Sequence, residues 1–73
     1  MYLKDKRLLK KVAFTLKQIR EKKGLTQNDV YDETNIHVAR IELGERDVKL
    51  STLSSLLAFY KIKLSDFFKA VDG

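Results

Sequence analysis

Leu9, Val12, Leu16 and Ile19 recur at three- and four-residue spacing, with lysines and arginines filling most positions between them. This pattern predicts a first helix with one buried stripe. Phe14 falls off that stripe, either under the N-terminal arm or against another chain. Gly24, preceded by Lys22 and Lys23, predicts the C-terminal stop, where cations suit the helix dipole. Thr26 then predicts an N-cap for a short second helix whose apolar residues are Val30 and Tyr31. Thr34 is the expected cap of a third helix, with Ile36 or Val38 paired with Ile41 on its inner side and Gly44 at its end. Glu45–Lys49 is polar and reads as a loop. Ser51 is the expected cap of a fourth helix striped by Leu53, Leu56, Leu57 and Tyr60, and Ser65 of a short fifth carrying Phe67 and Phe68.

The expected fold is therefore all-α: one five-helix domain over residues 1–73, with residues 1–8 an N-terminal arm or a helix extension. Two very short helices in tandem at residues 26–43 suit a helix-turn-helix, in which one helix braces across the DNA backbone and the next enters the major groove. Tyr60, Phe67 and Phe68 gather at the aromatic end, as core packing or as a dimer seam. Composition supports this plan. Across 73 residues there is no Pro and only three Gly, fewer turn residues than a β-sandwich usually needs.

The chain has no Cys and a single His, His37, so neither a disulfide nor a histidine–cysteine metal site can staple it. No metal or other cofactor is expected, and no cluster of nucleophile and base points to an enzyme. The longest apolar run, Leu56–Tyr60, is far short of a membrane span. With no hydrophobic stretch after the basic N-terminus, a cytoplasmic protein without a membrane partner is the expectation.

The formal net charge is +5, which favours a polyanionic partner. It is unevenly spread. Residues 1–23 carry nine basic and two acidic side chains, whereas residues 24–48 carry Arg40 and Arg46 against six acidic ones. The proposed reading helix thus lies in the acidic part of a basic chain.

Leu16, Ile19, Arg20, the run Gly24-Leu25-Thr26-Gln27, Arg40-Ile41-Glu42, Gly44 and Leu53 together resemble the Cro/repressor-type (XRE-family, lambda-repressor-like) helix-turn-helix family. The resemblance covers roughly residues 12–68. It is greatest to a compact branch of small bacterial regulators, through Thr34-Asn35-Ile36-His37-Val38-Ala39-Arg40-Ile41-Glu42. From Gln27 to Glu42 the chain is about three residues shorter than the usual family spacing, nearly one helical turn. The glycine often found between the two helices is missing. The shortening is placed at the end of the second helix, with Thr34 kept as the cap of the recognition helix.

The resemblance implies a sequence-specific DNA-binding regulator of transcription, a homodimer on a near-palindromic operator of double-stranded DNA. A second reading is an antitoxin or adaptor whose main contacts are with a toxin or other protein. On the DNA reading, Gln27 meets a phosphate at the start of the second helix. Thr34, Asn35, Ile36, His37, Ala39 and Arg40 form the recognition segment. Asn35 is suited to adenine and Arg40 to guanine or a phosphate. Arg46 and Lys49 are phosphate clamps. In the family the counterparts of Arg20 and Glu42 commonly pair, so these two are expected to be structural.

Overall fold

The computed structural model describes the backbone of residues 2–3 and residues 5–72 in full. Helix α1 spans Lys6–Lys22. Asp5 caps it, its Oδ1 accepting from the backbone N–H groups of Arg7 (2.9 Å) and Leu8 (3.2 Å). Residues 6–8 are thus an extension of the helix. The expected stripe faces inward: Leu9, Val12 and Leu16 are buried, Ala13 joins them, and Ile19 is half-buried against the core.

Helix α2 runs Gln27–Thr34 and begins with a reciprocal capping box: Thr26 Oγ1 accepts from Asp29 N–H, and the Asp29 carboxylate accepts from Thr26 N–H. Hydrogen bonding to the carboxylate, from the Thr26 backbone N–H first and the Thr26 hydroxyl second, holds the Asp29 carboxyl below its ordinary range. Helix α3 is only Val38–Glu42, five residues. Helix α4 covers Leu50–Tyr60 and α5 Leu64–Asp72.

Three sequence expectations are corrected. Thr34 is the last residue of α2, not the cap of the recognition helix. Its hydroxyl donates to Val30 O (2.7 Å) and accepts from Ile36 N–H (3.1 Å), so it closes the turn from behind. Helices α4 and α5 each begin one residue before the serine expected to cap them, with Lys49 at the N-cap of α4. The loop Glu45–Lys49 ends in a strand, because Val48–Lys49 (β2) pairs antiparallel with Tyr2–Leu3 (β1). Two residues on each side are too short for a periodic signal, and the pairing is non-local.

The core gathers Leu9, Val12 and Leu16 of α1, Val30 of α2, Val38 of α3, the α4 stripe Leu53, Leu56, Leu57 and Tyr60, and Phe67 and Val71 of α5. Tyr60 and Phe67 are thus core residues, and Phe68 is half-buried against the same cluster. Phe14 is 63% exposed. Gly44, just after α3, has φ +67°, and a Cβ there would lie 3.1 Å from the Ala13 Cβ and 3.3 Å from the Lys10 Cα. Only glycine lets the end of α3 approach α1 this closely.

Candidate nucleic-acid interface

Helices α2 and α3 are joined by Asn35-Ile36-His37, and Asn35 supplies the left-handed residue of the turn (φ 62°, ψ 14°). It does what the missing glycine does elsewhere, since asparagine is among the few side chains that tolerate this region. The shortening therefore falls at the start of α3. Asn35 belongs to the turn and not to the first turn of the helix.

The inner side of α3 is fixed by Val38, buried, and by Ile41, half-buried. Its outer side carries Ala39 and Arg40, both exposed, with Asn35 and His37 exposed just ahead. Ile36 is half-buried against the core and serves mainly as scaffold. A shallow groove beside α3 is lined by Asn35, His37, Arg40, Arg46, Asp47 and Thr52, among others. Arg40 and Arg46 also flank the next groove, so the two guanidinium groups border the same ridge. Among the described residues neither makes an ion pair. Lys49 sits to one side of this region, exposed at the end of β2.

The position of α3 is set from beneath. Arg20 Nε donates to Glu42 Oε2 at 2.7 Å and Arg20 Nη2 to Oε1 at 2.9 Å, a two-pronged ion pair whose side chains are 9% and 4% exposed. Arg20 Nη1 donates to the Leu25 carbonyl at 2.8 Å. Gln27 Nε2 adds a third hydrogen bond to Glu42, at Oε1 and 3.0 Å. One carboxylate thus ties α1, the start of α2 and the end of α3 together. Hydrogen bonding to Glu42 raises the Arg20 pKa further above its ordinary value. The Gln27 link is legible only in three dimensions, since residues 27 and 42 share no periodic relation. Lys10 Nζ donates to the Leu43 carbonyl at 3.1 Å, placing one charge of the basic first helix at the C-terminal end of α3.

Part of the acidic centre is turned away from this surface, although Asp47 lines it. At about 100° per residue, Asp29 and Glu33 lie nearly opposite Gln27 and Tyr31 around α2. Glu42 is consumed by Arg20. Tyr31 shares a third groove with Gln27, Asn28, His37 and Ala39, and its ring centroid is 4.7 Å from that of His37, the planes tilted by 35°.

No helix among the described residues is long and apolar enough to cross a membrane. They also hold no cluster of His, Asp or Glu able to bind a metal ion. Comparison with known proteins gives a family and a structural likeness. The family model Helix-turn-helix matches residues 16–67. The fold is similar to that of the restriction-modification controller protein C.Esp1396I, solved as a tetramer in complex with its natural 35 base-pair operator. That likeness has a TM-score of 0.80 at 29% identity, over 89% of this chain and 90% of that one. An arginine-to-alanine mutant of the same controller matches with a TM-score of 0.79 at 29% identity, over 89% and 91% of the two chains. No curated protein matches the sequence. With most of its length inside the family model and its short tandem helices braced by Arg20 and Glu42, the chain belongs to the Cro/repressor-type helix-turn-helix family of DNA-binding transcriptional regulators.

Proposed function

We propose that the protein binds a near-palindromic operator as a homodimer, with α3 and its preceding turn in the major groove. It would regulate transcription by occupying the site, without chemistry on the DNA. The observation that carries this reading is the pair of guanidinium groups, Arg40 and Arg46, without an ion-pair partner among the described residues and beside the exposed outer side of α3. Asn35, His37 and Ala39 are offered to base edges, and Gln27 and Lys49 to the backbone on either side. Gln27 has one amide hydrogen bond committed to Glu42, so its phosphate contact runs through the remaining amide proton or its backbone N–H.

Size supports two copies. The longest dimension of the chain is 28 Å, short of the ~34 Å between successive major-groove faces on one side of a duplex. One copy reads one half-site. The operator-bound tetramer of the controller protein is a precedent for self-association in a relative of this size.

Selection of bound sites from a random duplex pool, followed by titration at two salt concentrations, tests the reading. A two-fold motif and steep loss of affinity with salt are expected. Arg40→Ala with Arg46→Ala should lower the slope of log K against log salt by roughly 2 per protomer and roughly 4 for the dimer, about 0.9 for each phosphate no longer neutralised. Salt-independent binding, or an unchanged slope in the double variant, would refute it. The rival reading as an antitoxin or adaptor is favoured by Phe14, which lies exposed in a groove shared with Lys11, Gln18, Ala70 and Val71 between α1 and α5. It predicts that Phe14→Ser leaves DNA binding by the monomer unit intact and abolishes capture of a protein partner.

A further inference from the structure

Tyr31 is the aromatic residue of α2, yet it is not a core residue: 37% of its surface is exposed. It stands on the same outer face as Gln27 and Asn28, which turns toward His37 and Ala39 across the α2–α3 groove. Its ring contact is with His37. His37 needs such a contact. It precedes α3 with backbone angles of φ −80° and ψ 75°, outside the helical region, and its side chain makes no capping hydrogen bond. The imidazole is therefore oriented by a neighbouring ring rather than by the regular geometry of a helix. Among the described residues, neither of its nitrogens has a hydrogen-bond partner.

We propose that Tyr31 is a positioning residue for DNA recognition: it holds the His37 imidazole at the mouth of the α2–α3 groove so that a ring nitrogen meets the duplex, which couples binding to proton uptake by His37. This rests on the reading of α2 and α3 as the DNA-binding surface. The ring of Tyr31 from α2 lies against His37, and the titratable and charged groups lining the groove that His37 shares are Arg40 from α3 and Arg46 and Asp47 from the loop after α3. A bound duplex adds phosphates to that set. Imidazole is the side chain whose charge ordinarily changes between about pH 5 and 8, and added negative charge favours its protonated form. A proton held more tightly in the complex than in the free protein means that binding strengthens as pH falls.

The test uses the full chain and a duplex it has itself selected from a random pool, with a scrambled duplex of equal length as control, titrated across the imidazole range. The wild type should gain affinity toward acid pH, at most about tenfold per pH unit for each His37 engaged, so at most about a hundredfold for the dimer. His37→Phe keeps a ring against Tyr31 but has no nitrogen, and its profile should be flat. Tyr31→Phe should keep the wild-type profile, whereas Tyr31→Leu should flatten it and weaken binding several-fold. If Tyr31→Leu melts below the assay temperature, Tyr31→Met, bulky but without a ring, serves in its place. A ring that only stabilised the fold would move the melting temperature and leave the pH profile unchanged. The proposal is overturned if His37→Phe titrates like wild type, or if the folded ring-less variant keeps the wild-type profile. Failure of the wild type to select any duplex would instead refute the DNA reading, and this inference with it.

Discussion

Replacing Glu42 by Gln changes no volume and removes one charge, so it isolates the electrostatic part of the tie beneath α3. In the wild type the carboxylate accepts three hydrogen bonds, two of them from the Arg20 guanidinium. The amide can accept at one oxygen only and must point N–H groups at the remaining donors. Arg20, 7% exposed, then keeps a charge with no counter-ion in contact. Breaking a buried pair in this way costs roughly 3–5 kcal/mol. A chain of 73 residues has on the order of 4–11 kcal/mol in total, so the loss takes a large share of its stability. For a domain of this size about 1 kcal/mol corresponds to 4–8 °C, and the midpoint should fall by at least about 12 °C. Circular dichroism melts at low and high salt would measure it. Because the pair is shielded from solvent, the difference should persist at high salt, unlike that of a surface pair. Arg20→Lys should also destabilise, since an ammonium cannot bridge both carboxylate oxygens and the Leu25 carbonyl in the same fork. A Glu42→Gln midpoint within a few degrees of wild type would refute the argument that this pair organises the recognition surface.

Tyr60 buries its hydroxyl without a hydrogen-bond partner among the described residues, and burial followed by the nearby Glu42 charge pushes its pKa from 10.0 to about 12. The folded state thus holds the proton more tightly, so this stability is present below pH 10 and is lost as pH rises toward 12. Tyr60→Phe should equal or exceed wild-type stability at neutral pH, by up to about 1 kcal/mol, and should lose that part of the alkaline sensitivity in melts across the range. Gly44→Ala places a methyl group against Ala13 and Lys10 at positive φ; urea unfolding should show a loss of at least about 1–2 kcal/mol. Gly24→Ala, with open space around it, should show the smaller, purely conformational part. Asp29 has a depressed pKa, so its contribution is present above the ordinary carboxylate range and lost as pH falls through its folded value. Asp29→Ala should therefore melt lower than wild type at neutral pH, and the two melts should converge in strong acid.

The long helices were legible because their stripes are periodic: Leu9, Val12, Leu16 and the Leu53–Tyr60 set all face the core where spacing places them. The Arg20–Glu42 pair came through the family resemblance, not through any local pattern. What the sequence hid is non-local or lies in a single dihedral angle. Thr34 has the chemistry of an N-cap, but it follows a helix that had not ended, and its hydroxyl bonds backward to Val30 instead. Asn35 reads as a base-contacting residue of the recognition segment, and nothing in one dimension reveals its positive φ. Ser51 and Ser65 misled for the same reason, since a serine suits the first turn of a helix as well as its cap. The Tyr31–His37 ring contact joins residues six apart across a bend, a spacing that neither helix nor strand periodicity flags.

The five-residue α3 carries a lesson about length. Val38 and Ile41 keep their inward places although the segment is nearly a whole turn shorter than is usual for the family. Loss of a single residue before Val38 would rotate the helix by about 100° and turn Val38 out of the core. Chain length at this point is therefore quantised. A complete turn can be trimmed here while the scaffold is preserved, and on the proposed reading the bend before the helix and the arginine loop behind it take over the work of the missing turn.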